Sequence, residues 1–244
     1  MNYRMIGRFI GKMLLVEAAF MIPALLISIF EREPTAVQGF LIAMGITLVL
    51  AALLLVLCRK TKRGFHAREG LVCVGVSWII MGLLGCLPYY FSGEIPSFID
   101  ALFESVSGFT TTGASILSDV ESLSKGILYW RSFSHWLGGM GVLVFVLAVS
   151  VGSENSKGFT MHLLRAESPG PSVGKLVPKM KKTARILYLL YIVLTILNFI
   201  FLLIGNMPVF DAVCTALGTA GTGGFGIRND SIAGYSPYIQ NVCT

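Results

Sequence analysis

Read for polarity alone, the chain is a succession of long apolar blocks parted by short polar loops. Five blocks reach the roughly 20 residues that a helix needs to cross a bilayer: Phe9–Phe30, Ala36–Leu57, Leu71–Phe91, Trp130–Gly152 and Ile186–Gly205. None alternates in the short period of a strand. The first block follows Arg4, Arg8 and Lys12, as the apolar core of a secretory leader would. Its length, its internal Glu17 and Pro23 and the lack of a small-x-small cleavage site predict a retained helix instead. Two further stretches, Phe98–Ser107 and Val209–Gly218, are amphipathic and too short to span. Each follows a full-length block and runs into a loop of Thr and Gly, the pattern of a re-entrant helix.

These two stretches repeat each other. At an offset of 111 residues, without a gap, Phe98-Ile-Asp-Ala-Leu-Phe-Glu-Ser-Val-Ser-Gly-Phe-Thr-Thr-Thr-Gly falls on Val209-Phe-Asp-Ala-Val-Cys-Thr-Ala-Leu-Gly-Thr-Ala-Gly-Thr-Gly-Gly. Asp100 meets Asp211, Thr111 meets Thr222 and Gly113 meets Gly224. The unit is helix, short helix with Thr/Gly loop, helix. Duplicated units are common in transport proteins, with the site where the repeats meet.

Composition agrees with lipid as the solvent. Hydrophobic residues make up 55% of the chain and charged residues only 13%, half the density of an ordinary soluble domain. The net charge of +6 first suggests nucleic acid, but its placement is topological. With the N-terminus cytoplasmic, 15 of the 19 Lys and Arg fall on the inside, leaving Arg32, Lys125, Arg131 and Arg228 outside. The acidic residues lean outward. The alternation survives only if both short stretches re-enter from the outer face. The cysteines Cys58, Cys73, Cys86, Cys214 and Cys243 lack metal-ligand spacing and read as small buried hydrophobes.

The loop chemistry is that of bare backbone. An ion enters a pore only where something replaces its hydration shell, and rings of carbonyls do so in selectivity filters. Irregular backbone at membrane depth is tolerated where it is buried in protein or lines water, and glycine adopts the dihedrals such a path requires. No carboxylate lies within Thr110–Ser115 or Gly221–Gly226, which favours a monovalent over a divalent ion. One such loop alone reads as a turn. A phosphate-binding loop needs a preceding strand and, in the P-loop case, a Gly-Lys-Ser/Thr ending; neither occurs here.

The motifs Ser107-Gly-Phe-Thr-Thr-Thr-Gly113 and Tyr129-Trp-Arg-Ser-Phe-Ser-His-Trp-Leu-Gly-Gly-Met-Gly141 resemble the Trk/Ktr/HKT superfamily of potassium transporters, most closely its bacterial TrkH-like subunits. The resemblance implies an all-α integral membrane protein of helix–pore loop–helix units of potassium-channel type. Residues 1–68 would form an accessory helix pair, 69–152 the first unit, 153–184 a basic cytoplasmic linker and 185–244 a second unit truncated before its last helix. It implies potassium binding by carbonyls of Thr111, Thr112 and Gly113 and of Thr222, Gly223 and Gly224, with Thr110 and Gly221 in support. Gly223 leaves the second register open by one position. The family builds its pore from four units, so this chain is expected to be a fragment of a longer protein.

The resemblance further implies potassium uptake through a bacterial plasma membrane, a homodimer, lipid contacts and a cytoplasmic nucleotide-binding regulatory subunit of the TrkA-like kind; no enzyme activity is expected. A sodium-permeable relative is an alternative. In plant members a serine at the first filter glycine accompanies sodium transport, and Gly113 argues against it. A non-conducting scaffold is the other. Among remaining residues, Glu17 is expected to snorkel or to sit protonated and hydrogen-bonded, and His135 to pack at the membrane interface. Gly138, Gly139 and Gly141 are read as helix-packing positions. Glu104, with Thr215 in its place in the second unit, either attracts cations or caps a network. Lys175–Arg185 suits lipid headgroups or the regulatory partner.

Overall fold

The computed structural model describes residues 3–59, 67–139, 141 and 177–243, and all regular structure among them is helical. Helices α1 (Tyr3–Phe30) and α2 (Pro34–Leu57) form a hairpin closed at Arg32, whose φ is 61°. The next apolar block is broken into α3 (Ala67–Gly85) and α4 (Leu87–Phe91). Pro88 causes the break, because it has no N–H and its ring bars the carbonyl one turn back. Gly85 O, at the break, accepts from Trp130 Nε1 at 3.0 Å.

The short helices α5 (Phe98–Phe109) and α8 (Val209–Ala220) have 12 residues each, two more at the C-terminus than hydropathy suggests. Each has an aspartate, Asp100 or Asp211, in its first turn, where carboxylates favour the helix dipole. Between α5 and α8 in the chain lie α6 (Lys125–Gly139) and α7 (Val177–Ile204). Helix α6 starts five residues ahead of the apolar block, capped by the α1–α2 turn: Lys125 N and Gly126 N donate to the Glu33 carboxylate at 2.7 and 3.2 Å. Helix α7 starts nine residues ahead of Ile186, taking in Lys179, Lys181, Lys182 and Arg185. A last helix, α9 (Pro237–Cys243), starts 111 residues after Gly126 in α6, so the repeat continues into it. Residues 140 and 142–152 of the predicted fourth span, linker residues 153–176 and the basic positions Lys60, Lys62, Arg63, Lys157, Arg165 and Lys175 lie outside the described residues.

Helix α6 is the hub, packing on α1, α5 and α8; α3 leans on α1 and α5, and α7 on α8. Trp130, Tyr89, Phe109 and Phe40 fill the core, with Phe109 and Trp130 edge to face at 6.1 Å. Apolar side chains also cover the outside of α2 and α7, among them Val49, Val56, Ile186, Leu189 and Leu194. Tyr3–Phe30, Pro34–Leu57, Val72–Phe91 and Arg185–Ile204 are long and apolar enough to cross a membrane. In lipid, burying a side chain gains little hydrophobic energy, so close packing and internal hydrogen bonds must hold such a bundle.

Candidate functional site

The two Thr/Gly loops share one backbone geometry. Helix α5 ends in a turn where Thr111 N donates to Gly108 O at 3.1 Å and Thr112 N to Ser107 O at 3.0 Å. Helix α8 ends identically, Thr222 N donating to Thr219 O and Gly223 N to Gly218 O, both at 3.0 Å. This is the Schellman ending, whose left-handed residue is usually glycine. Here it is threonine, with φ of 54° at Thr111 and 53° at Thr222. A β-branched residue in that region is strained, by about 1–3 kcal/mol. Two residues on, Gly113 and Gly224 are left-handed again, with φ of 73° and 95°. An ordinary helix cap needs one such residue; these loops have two.

The change of hand frees the main-chain oxygens. The carbonyls of Thr111, Thr112, Gly113, Thr222, Gly223 and Gly224 accept no hydrogen bond among the described residues. The Thr110 hydroxyl turns back to Val106 O at 2.7 Å and lies 2.8 Å from that of Thr112, while the Thr222 hydroxyl donates to Gly221 O at 2.7 Å. The loops touch through backbone: a Cβ on Gly113 would strike Gly223 O. The sequence thus places its eight residues on two adjoining segments with the same geometry. Beside the second segment opens a cavity of about 340 Å³, lined by Thr219, Thr222, Gly224, Tyr235 and Cys243 among others.

Four residues are placed otherwise than the sequence suggests or settle an alternative it left open. His135 is fully buried rather than interfacial. Its Nδ1–H donates to Gly108 O at 2.8 Å and its Nε2 accepts from Phe225 N at 3.2 Å; that tautomer follows from the fixed roles of the two backbone groups. Glu104 is also fully buried, so it caps a network and does not face a mouth. It pairs with Arg131 Nε and accepts from the Ser115 hydroxyl and from Ile116 N at 3.0 and 3.2 Å. Arg131 is therefore no loop charge. Glu17 is buried, not snorkelled, and neither of its oxygens has a hydrogen-bond partner among the described residues. Gly138 and Gly139 do allow close approach, but to the ends of the loops: a Cβ would meet Phe109 O at the first and Gly221 Cα at the second.

Sequence reasoning missed the tie between the segments that follow the two loops. Asn229 accepts from Val120 N at 2.7 Å and donates to Asp119 Oδ1 at 2.9 Å, and its backbone N donates to Glu121 Oε1 at 3.1 Å. Only the run of polar residues at the same distance after each loop hints at it.

Short helices ending in paired, doubly left-handed Thr/Gly segments, set among apolar helices of spanning length, define a pore-loop membrane protein. The chain belongs to the TrkH family of cation transport proteins, whose family model matches residues 36–244. It is 35% identical over its whole length to the Trk system potassium uptake protein TrkH of Halomonas elongata, and 35% identical over 99% of its length to that of Escherichia coli K12. It covers 50% of each of these proteins, so the chain spans about half the length of the curated relatives it matches. The crystal structure of the potassium transporter TrkH from Vibrio parahaemolyticus superposes with a TM-score of 0.82 at 29% identity, over 100% of this chain and 48% of that one.

Proposed function

We propose that this chain supplies two filter segments of a potassium-uptake pore of the Trk type, in the plasma membrane of a bacterium. Residues 1–68 serve as an accessory pair, 69–152 and 185–244 as filter units joined by the linker 153–184. The observation that carries the reading is the pair of adjoining segments whose six carbonyls accept no hydrogen bond among the described residues. Potassium is the cargo. Thr111, Thr112 and Gly113 and their equivalents Thr222, Gly223 and Gly224 offer it oxygens in place of water, with Thr110 and Gly221 supporting. The names of the relatives favour potassium.

No covalent chemistry takes part. The N-terminus is cytoplasmic by the distribution of Lys and Arg. The assembly is a homodimer in lipid with a cytoplasmic nucleotide-binding regulatory subunit, as the family resemblance implies.

The full-length protein should restore growth of a strain lacking potassium uptake at low external potassium. Gly113→Ser should lower its preference for potassium over sodium, because the new side chain meets Gly223 O at a φ of 73°. Growth restored with an unaltered preference would remove Gly113 from the filter. No uptake of any monovalent cation would leave the scaffold reading.

A further inference from the structure

Glycine occupies positions 221 and 223, where the first unit has Thr110 and Thr112. Neither glycine has a left-handed φ, so conformation does not require it. Space does. A Cβ on Gly223 would enter the His135 ring, and one on Gly221 would strike the His135 main-chain carbonyl. Helix α6 of the first unit thus lies directly behind the second Thr/Gly segment, and the sequence difference between the repeats records its passage.

Two side chains one turn apart on α6 use that closeness. His135 joins Gly108 O, at the end of α5, to Phe225 N, directly after Gly224, and its ring centroid lies 4.0 Å from that of Phe225. Arg131 holds Glu104 with Nε, donates from Nη1 to Gly226 O at 2.7 Å, and sets its guanidinium 3.7 Å from the Phe225 ring centroid. Glu104 in turn holds Ser115 and Ile116, just past Gly113. The exits of both segments are therefore fastened to one face of α6. The second unit has Thr215 and Val242 where the first has Glu104 and Arg131, so it carries no equivalent of the ion pair.

We propose that Arg131 and His135 are positioning residues that set the height of the second filter segment against the first, and through it the preference among monovalent cations. This rests on the filter reading above. A carbonyl site discriminates ions by the number and spacing of its oxygens, and displacing one segment relative to its neighbour alters both.

The test uses the full-length protein in liposomes, with potassium and sodium flux measured separately and folding followed by gel filtration and thermal unfolding. Arg131→Lys keeps a cation for Glu104 but lacks the planar fork that reaches two acceptors. His135→Asn keeps a donor for Gly108 O but leaves Phe225 N without its acceptor. In both, the potassium-to-sodium flux ratio should fall about tenfold, equivalent to about 1.4 kcal/mol, with elution and unfolding close to wild type. A folded variant that keeps the wild-type ratio overturns the proposal. Loss of folded protein in both variants also overturns it, since the residues would then serve the fold alone. A wild-type protein with no preference for potassium overturns the filter reading itself, before any variant is made.

Discussion

At the scale of single residues, strain and buried charge stand out. Thr111 and Thr222 hold a left-handed backbone that glycine would adopt without strain. Thr111→Gly is therefore expected to raise the stability of the purified protein by about 1 kcal/mol, seen as a higher unfolding temperature in detergent, while potassium uptake falls. A stabilised variant with undiminished uptake would mean that the threonine is dispensable to the pathway. Glu104 and Arg131 behave oppositely. Removing one partner of a buried pair leaves an uncompensated charge and costs roughly 3–5 kcal/mol. Glu104→Ala should show that loss in thermal unfolding, and the double variant Glu104→Ala/Arg131→Met should recover most of it. Equal instability of the single and double variants would show that the pair is not the source.

At the scale of elements, the α1–α2 hairpin is joined to the N-terminal end of α6. Glu33 caps α6 by accepting two of its first N–H groups, and Lys125 reaches Glu31 at 2.9 Å. Both partners of that ion pair are well exposed, so it contributes little, whereas the cap carries a helix terminus. Glu33→Ala should cost about 1 kcal/mol, and Lys125→Ala much less; comparing the two unfolding temperatures separates cap from charge. Nearby, Glu94 accepts from Ser124 N at 2.8 Å. Burial pushes its carboxyl above the ordinary value of 4.5, against the lowering effect of its bonds to Ser124. A folded pKa above the unfolded one means that the folded state holds the proton more tightly. The contribution of Glu94 is thus fully present below pH 4.5 and is lost as pH rises through the raised value. Unfolding temperatures taken upward from pH 4.5 should fall less in Glu94→Gln than in wild type.

At the scale of the molecule, the two loops lie against each other and the segments after them are tied through Asn229, Val120 and Asp119; in the proposed pore both open on one side. In a cysteine-free background, Ser118→Cys and Ser231→Cys should both react with a membrane-impermeant maleimide added to intact cells. Tyr3→Cys should react only after the membrane is opened. Labelling of one loop position from outside and the other only from inside would break the repeat. The same scale explains the apolar exterior of α7: a helix with Ile186, Leu189 and Leu194 exposed is stable where its surroundings are hydrocarbon or another helix.

What could be read from the chain was whatever is local or periodic. Apolar block length marked the helices that can span, and the offset of 111 residues paired Thr111 with Thr222 and Gly113 with Gly224; the same backbone hydrogen bonds then recur at those positions. The start of α7 at Val177 escaped because a polar helical turn carries no hydropathy signal, and α9 because seven residues of mixed polarity are too few to mark a span. Only the fold joined Glu104 to Arg131 and then to Gly226, or slid His135 behind Gly223. Those partners lie 27 to 95 residues apart, and a polar side chain in an apolar helix has no period that names its partner. Where it goes is decided when the helices pack, since burying a polar group without a partner costs free energy that a partner removes.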